Sequence, residues 1–352
     1  MRFIHTSDIR LGFVPDKGRD WSEKRVNEIE EAFDQIITDC NEKKVELLLI
    51  AGNLFDAPPS FEELLKLDEK LQKLEHTRTI IVAGDRDYME ASSDAAHFKF
   101  RSKTAILPAE KTTNAYLKNI NTCITGYSYG KEIHREDIIG RINPGKPGAI
   151  NILLGCGGDS DHMPFQRESL ARKGFHYIAL GHSRNPVHIL KNRMAYSGSP
   201  EPLGPEDKGK HGYILGEIDE KGSRISWCPI AKRSYINFQF DFSSDITAEE
   251  ASKMAEEKML KLGKDNIYTI ILKGFTKDDK KPDFSRLQSR FNIIEIKDKT
   301  IKRKTVEQME ADNEKNLIGR FISEVNDSYT IDYRIREKAL RYGIEALIKA
   351  GE

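Results

Sequence analysis

Val45 to Asp56 reads VELLLIAGNLFD. Its first half is a short unbroken apolar run, which suits a strand buried on both faces of a sheet. Its second half turns abruptly into Gly52, Asn53, Leu54, Phe55 and Asp56. At the carboxyl edge of an open α/β sheet, where ligands bind, a glycine admits close backbone approach and the short polar side chains after it are site candidates. Taken alone, the stretch is equally well a strand-loop-helix turn whose Asn and Asp cap backbone groups.

Three further stretches repeat the pattern. Arg2 to Thr6 runs into Ser7, Asp8, Ile9 and Arg10; Thr79 to Ala83 runs into Gly84, Asp85, Arg86 and Asp87; Tyr177 to Leu180 runs into Gly181, His182, Ser183 and Arg184. Between the first two strands, Asp20 and Glu23 have capping-box spacing, and Ile29, Phe33, Ile36, Ile37 and Cys40 follow at helical spacing. Ser60 and Glu63 repeat the start signal before Phe61, Leu64, Leu67 and Leu71. The resulting βαβαβ opening predicts a parallel sheet with right-handed crossovers, so its strand-end loops share one edge.

Ala149 to Leu154 is another buried-strand pattern, ending in Gly155, Cys156, Gly157, Gly158 and Asp159. Three glycines after a strand can cradle phosphate, but this loop lacks the Lys and Ser/Thr of a P-loop. Asp159, Asp161 and His162 read as a solvated turn. Short strands follow at about 187–190, 194–197, 212–218 and 223–229. Composition shifts near Ala231, after which strands at 235–242, 267–272 and 291–296 alternate with helices at 248–262 and about 283–290. Helical patterns at about 306–325 and 333–349 close the chain.

The 352 residues carry 56 Lys plus Arg and 56 Asp plus Glu. A neutral chain does not announce nucleic-acid binding by its charge, so any such surface is a local patch. The four cysteines are scattered, which argues against a zinc ribbon or a disulfide framework and suits a reducing cytoplasm. No apolar run approaches the roughly 20 residues of a membrane helix.

In order, the loops resemble the motifs DxH, GDxFD, GNHD, a histidine after a buried strand, and GHxH of the calcineurin-like metallophosphoesterases. The flanking text HTSDIRLG, LLLIAGNLFDAPPS, FHYIALGHSRNP and AYSGSPEPLGPEDKGKHGYILGEI is similar to bacterial SbcD-type DNA-repair exonucleases. The resemblance implies an α/β fold with a metallophosphoesterase-type β-sandwich flanked by helices over 1–230. It further implies a small α+β capping domain over 231–300 and a helical partner-docking segment over 301–352. It also implies Mn²⁺-dependent DNA exonuclease chemistry, DNA, and a coiled-coil ABC-type ATPase as partner; a homodimer is left open, and the absence of a long apolar run leads us to expect no membrane partner.

Carried over by position, the resemblance keeps only two of seven metal ligands, Asp8 and His182. The DxH histidine is Arg10, the bridging aspartate is Asn53, the GNHD asparagine is Asp85, the proton-donor histidine is Arg86, the isolated histidine is Cys156, or Gly155 if the register slips by one, and the second histidine of GHxH is Arg184. Two dications about 4 Å apart repel by roughly 16 kcal/mol at an effective dielectric of 20, and a neutral amide at 53 cannot offset that. Guanidinium has no free lone pair with which to ligate. The expectation is a member without its two-metal centre, holding no metal or at most one Mn²⁺-like ion at Asp8, Asp85 and His182. Arg10, Arg86 and Arg184 are expected to pair with Asp8 and Asp85 in a phosphate cleft. A remodelled one-metal nuclease, drawing Asp87, Asp159, Asp161 or His162 into the site, is the alternative.

Overall fold

The computed structural model describes residues 1–242, 248–276 and 284–351. In chain order its elements are β1 (Arg2–Thr6), α1 (Ser22–Glu42), β2 (Leu47–Ala51), α2 (Phe61–Leu71), β3 (Arg78–Val82), α3 (Asp94–His97), β4 (Thr104–Ile106), β5 (Thr113–Leu117), β6 (Thr122–Gly126), β7 (Ile150–Cys156), α4 (Arg167–Ala171), β8 (Tyr177–Gly181), β9 (Val187–Leu190), β10 (Met194–Tyr196), β11 (Gly212–Asp219) and β12 (Gly222–Pro229). The chain then divides. Met1–Ser234 and Tyr235–Glu352 are separate compact units, with the sequence segments 231–300 and 301–352 falling essentially in the second.

In the first unit one six-stranded sheet runs β12-β11-β1-β2-β3-β4 and the other β5-β6-β7-β8-β10-β9. β1 through β4 are parallel, as the βαβαβ reading requires, and β11 adds antiparallel to β1. The period of two along β2 explains the layering. Leu47, Leu49 and Ala51 face Ile124, Ile152, Leu154 and Ala179 of the second sheet. Leu48 and Ile50 face Phe33, Ile36 and Ile37 of α1 and Leu64, Leu67 and Leu71 of α2. A strand covered on both faces must be apolar throughout, hence the unbroken LLLIA.

The capping box at Ser60 and Glu63 forms. The one expected at Asp20 and Glu23 does not: α1 follows Trp21, which supplies no side-chain cap, and Trp21 instead donates its ring N–H to Asp16 at 2.7 Å.

In the second unit β13 (Tyr235–Phe242), β14 (Ile267–Thr276) and β15 (Asn292–Lys302) form a parallel three-stranded sheet. α5 (Ala248–Leu262) and α6 (Ser285–Gln288) accompany the sheet; Asp283, at the start of the helix expected over about 283–290, lies outside the described residues. Phe238, Phe240, Ala255, Met259, Tyr268 and Leu287 pack its core. The helix expected over about 306–325 is two helices, α7 (Arg303–Asp312) and α8 (Leu317–Asp327), before α9 (Tyr333–Gly351). The break lies where Asn316 accepts from the backbone N–H groups of Ile318 and Gly319, a side-chain cap that competes with helix continuation. Replacing Asn316 with alanine should destabilise α8 by about 1 kcal/mol, read as faster amide exchange in its first turn. No helix among the described residues is long and apolar enough to cross a membrane.

Candidate functional site

The ends of β1, β2, β3, β7 and β8 meet because the two sheets touch there. A Cβ on Gly181 would fall 1.8 Å from the Ala51 carbonyl oxygen, and one on Gly52, itself at φ +87°, would fall 2.6 Å from Cys156 Sγ. Only glycine permits both approaches. Asp8, Arg10, Asn53 and His182 all hold left-handed φ values, 51°, 59°, 56° and 94°. Four non-glycine residues in that sparsely populated region at these strand ends mark locally bent backbone, which aims Asp8, Asn53 and His182 at one another.

Asn53 is at the centre. Its Nδ2 donates to Asp8 Oδ1 at 2.9 Å and to Asp85 Oδ1 at 3.0 Å, while its Oδ1 accepts from the Arg86 N–H at 3.0 Å. The Arg86 N–H fixes which way the amide points, because the reversed amide would set donor against donor and oxygen against two carboxylates. Asp8 also accepts from the His182 N–H at 2.9 Å. Burial raises the Asp8 pKa, opposed by Asn53, Ser7 and His182. Asp87 is a backbone clamp: its carboxylate accepts from the N–H groups of Gly84, Asn53, Leu54 and Phe55.

His182 bridges two acids. Nδ1 is 2.9 Å from Asp85 Oδ1 and Nε2 is 2.7 Å from Asp159 Oδ2. Burial alone would lower the imidazole pKa, but these two hydrogen bonds and the surrounding negative charge raise it to about 9. The same contacts overcome the opposing effect of burial and hold Asp85 and Asp159 each at about 2. Cys156 is fully buried, with Sγ 3.9 Å from Asp85 Oδ1, and burial followed by the Asp85 charge pushes its thiol well up.

The expected pairing of three arginines with Asp8 and Asp85 does not occur. Arg10 pairs with Asp56, its Nε donating to Oδ1 at 2.7 Å, so Asp56 is an ion-pair partner and not merely a turn cap. Arg184 Nε lies 3.1 Å from Asp207, and Arg86 Nη1 lies 3.8 Å from Glu132. Each guanidinium reaches a carboxylate outside the inner cluster, and the inner charges are met by Asn53 and His182.

Asp159 and His162 do join His182, whereas Asp161 turns out to Arg135 Nε at 2.7 Å. The glycine-rich stretch before them is a packing device. A Cβ on Gly158 would strike Tyr196 Oη at 2.1 Å and one on Gly157 would strike the His162 carbonyl oxygen at 2.4 Å. Tyr196, which sequence patterning had marked only as part of a strand, donates to the Gly157 carbonyl at 2.8 Å and braces this loop. His5 is a core residue, as its place in an apolar strand suggests, bound to Tyr177 Oη and the Leu180 carbonyl.

The donor set at the inner position does not suit a two-metal centre. The group between Asp8 and Asp85 presents N–H protons where a bridging ligand needs lone pairs, and Arg10 and Arg184, turned outward, supply no neighbouring ligand.

The model for the calcineurin-like phosphoesterase matches residues 1–206, and the chain belongs to that family. The family typically uses divalent metals. Among curated proteins, the chain is similar to the DNA double-strand break repair protein Mre11 of Methanopyrus kandleri, at 22% identity over 303 residues. The match takes in 78% of this chain and 65% of that relative's length.

Proposed function

We propose that the chain is a DNA-end-binding or scaffolding subunit of an ATPase-nuclease complex in DNA repair, in which the family's two-metal cleavage centre has given way to a hydrogen-bonded polar cluster. The observation that carries the loss of the centre is the Asn53 amide, which donates to Asp8 and Asp85 and is fixed by the Arg86 N–H. The DNA-repair role is supported by the similarity to Mre11. A partner-docking role for the terminal helices is supported by Leu317, Ile335 and Tyr342, which are large, apolar or aromatic, and 67%, 60% and 57% exposed. A coiled-coil ATPase is the partner this reading names.

Protein purified in Mn²⁺ and desalted should retain less than one Mn²⁺ per chain by elemental analysis. It should bind a short duplex end with a salt-dependent affinity and leave it uncut in Mn²⁺. Two equivalents of retained Mn²⁺, or Mn²⁺-dependent cleavage abolished by Asp8→Ala, would refute the reading. A single ion held by Asp8, Asp85 and His182 is disfavoured by the same hydrogen bonds, since Asn53 and His182 already occupy the carboxylate oxygens that face inward.

A further inference from the structure

The two nitrogens of His182 face different surroundings. Nδ1 meets Asp85, which is buried and tied to Asn53; Nε2 meets Asp159, which is half exposed at the solvent end. Asp159 also holds His162, whose Nδ1 lies 2.8 Å from Oδ1 and 2.9 Å from Oδ2. The two imidazole rings are 4.6 Å apart between centroids. One donor atom from each of Asp159, His162 and His182 lies within 4.8 Å of the other two.

The loop that carries two of these groups is built rather than loose. Asp159 Oδ1 accepts from the N–H groups of Asp161 and His162, both at 2.9 Å. The Gly158 N–H donates to the His162 carbonyl at 2.7 Å. The segment is pinned to His134 from both sides, by His134 N–H to Asp161 O at 2.9 Å and Met163 N–H to His134 O at 2.6 Å.

We infer that Asp159, His162 and His182 form a mononuclear zinc-type site at the mouth of the cleft, displaced outward from the Asp8, Asn53 and Asp85 position. Two imidazoles and one carboxylate with a fourth direction open to solvent are the donor set of an open tetrahedral zinc centre. Imidazole also favours this class of ion over Mg²⁺ or Ca²⁺. Asp85 plays the part of the carboxylate behind a metal-bound histidine: by accepting from Nδ1–H it leaves Nε2 as the ligand atom, which releases to solvent the proton it shares with Asp159 when the ion binds. The spacing of Asp159 and His162, three residues apart on one pinned loop, leaves only His182 to come from a distant strand. A competing set, Asp85, Cys156 and His182, lies on the inner side of the ring, where Cys156 is fully buried.

The inference stands independently of the proposed role on DNA. The full chain, stripped with chelator, is titrated with Zn²⁺ alone by calorimetry and with Co²⁺ by visible absorption. One equivalent of Zn²⁺ should bind, and the Co²⁺ form should show the intense visible bands of a tetrahedral ion. His162→Ala should weaken binding at least tenfold, and Asp85→Asn, a change to a positioning residue, by roughly 10- to 100-fold. Asp161→Asn should leave binding unchanged, and circular dichroism verifies that the variants remain folded. Equal Zn²⁺ affinity in the parent and His162→Ala would overturn the site. So would a thiolate-to-cobalt charge-transfer band that disappears in Cys156→Ser. Retention of Mn²⁺ at the inner position is a separate measurement and leaves this test intact.

Discussion

Asn53→Asp should destabilise the first unit by on the order of 3–5 kcal/mol in chelator at neutral pH, and Mn²⁺ should restore much of the loss. The amide donates to two buried carboxylates, Asp8 at 1% exposure and Asp85 at 6%. An aspartate there keeps an oxygen for the Arg86 N–H but turns the other oxygen towards two acids. Both donated bonds become repulsions in a site with little water to screen them. A divalent ion is the natural counter-charge. Urea unfolding followed by a probe in the first unit, with EDTA and then with Mn²⁺, reads the effect. An aspartate variant as stable as its parent in EDTA and indifferent to Mn²⁺ would show that the amide is not what substitutes for an ion.

The second large effect is on pH dependence. Because the His182 pKa stands at about 9 in the folded chain, against 6.5 unperturbed, folding binds a proton between those values. The stabilisation is complete below pH 6.5 and is lost as pH rises through 9, a change on the order of 3 kcal/mol. On the acid side, Asp85 and Asp159 stand at about 2 against 3.8 unperturbed. Their contribution is present above 3.8 and lost as pH falls through 2. These are two views of one ion cluster, so the energies do not add. His182→Gln should be less stable than the parent at pH 6 and should lack most of the decline between pH 6.5 and 9. Parallel stability curves for parent and variant across that range would remove His182 as the titrating group.

The layered core was legible because period and burial are local. VELLLIA reports a strand covered on both faces, and the helical spacing of Ile29, Phe33, Ile36 and Ile37 reports the helix that covers one of them. The ends of the opening strands were legible as a group for the same reason: Asp8, Asn53 and Asp85 each follow a strand, and parallel strands with right-handed crossovers bring such ends to one edge, whereas the meeting with Cys156 and His182 depends on the second sheet packing against the first. The break at Asn316 was less visible, because helical periodicity continues through a cap that acts within one turn.

Partner choice was a different matter. Arg10 lies two residues from Asp8 and Arg184 two from His182, yet their long side chains reach Asp56 and Asp207. The charge count at the strand ends is the same whichever carboxylate each arginine takes, so sequence cannot choose between them. Asp159 and His162 looked like a solvated turn until the fold brought His182, twenty residues on, against them. The sequence by itself determined the strands, the edge of the first sheet and the presence of an amide, Asn53, just past the end of β2. Tertiary structure alone decided that His182, and no arginine, carries the positive charge among the inner acids. A side chain's hydrogen-bond partners are fixed by distances of a few tenths of an ångström between segments far apart in the chain, and local sequence does not encode those distances.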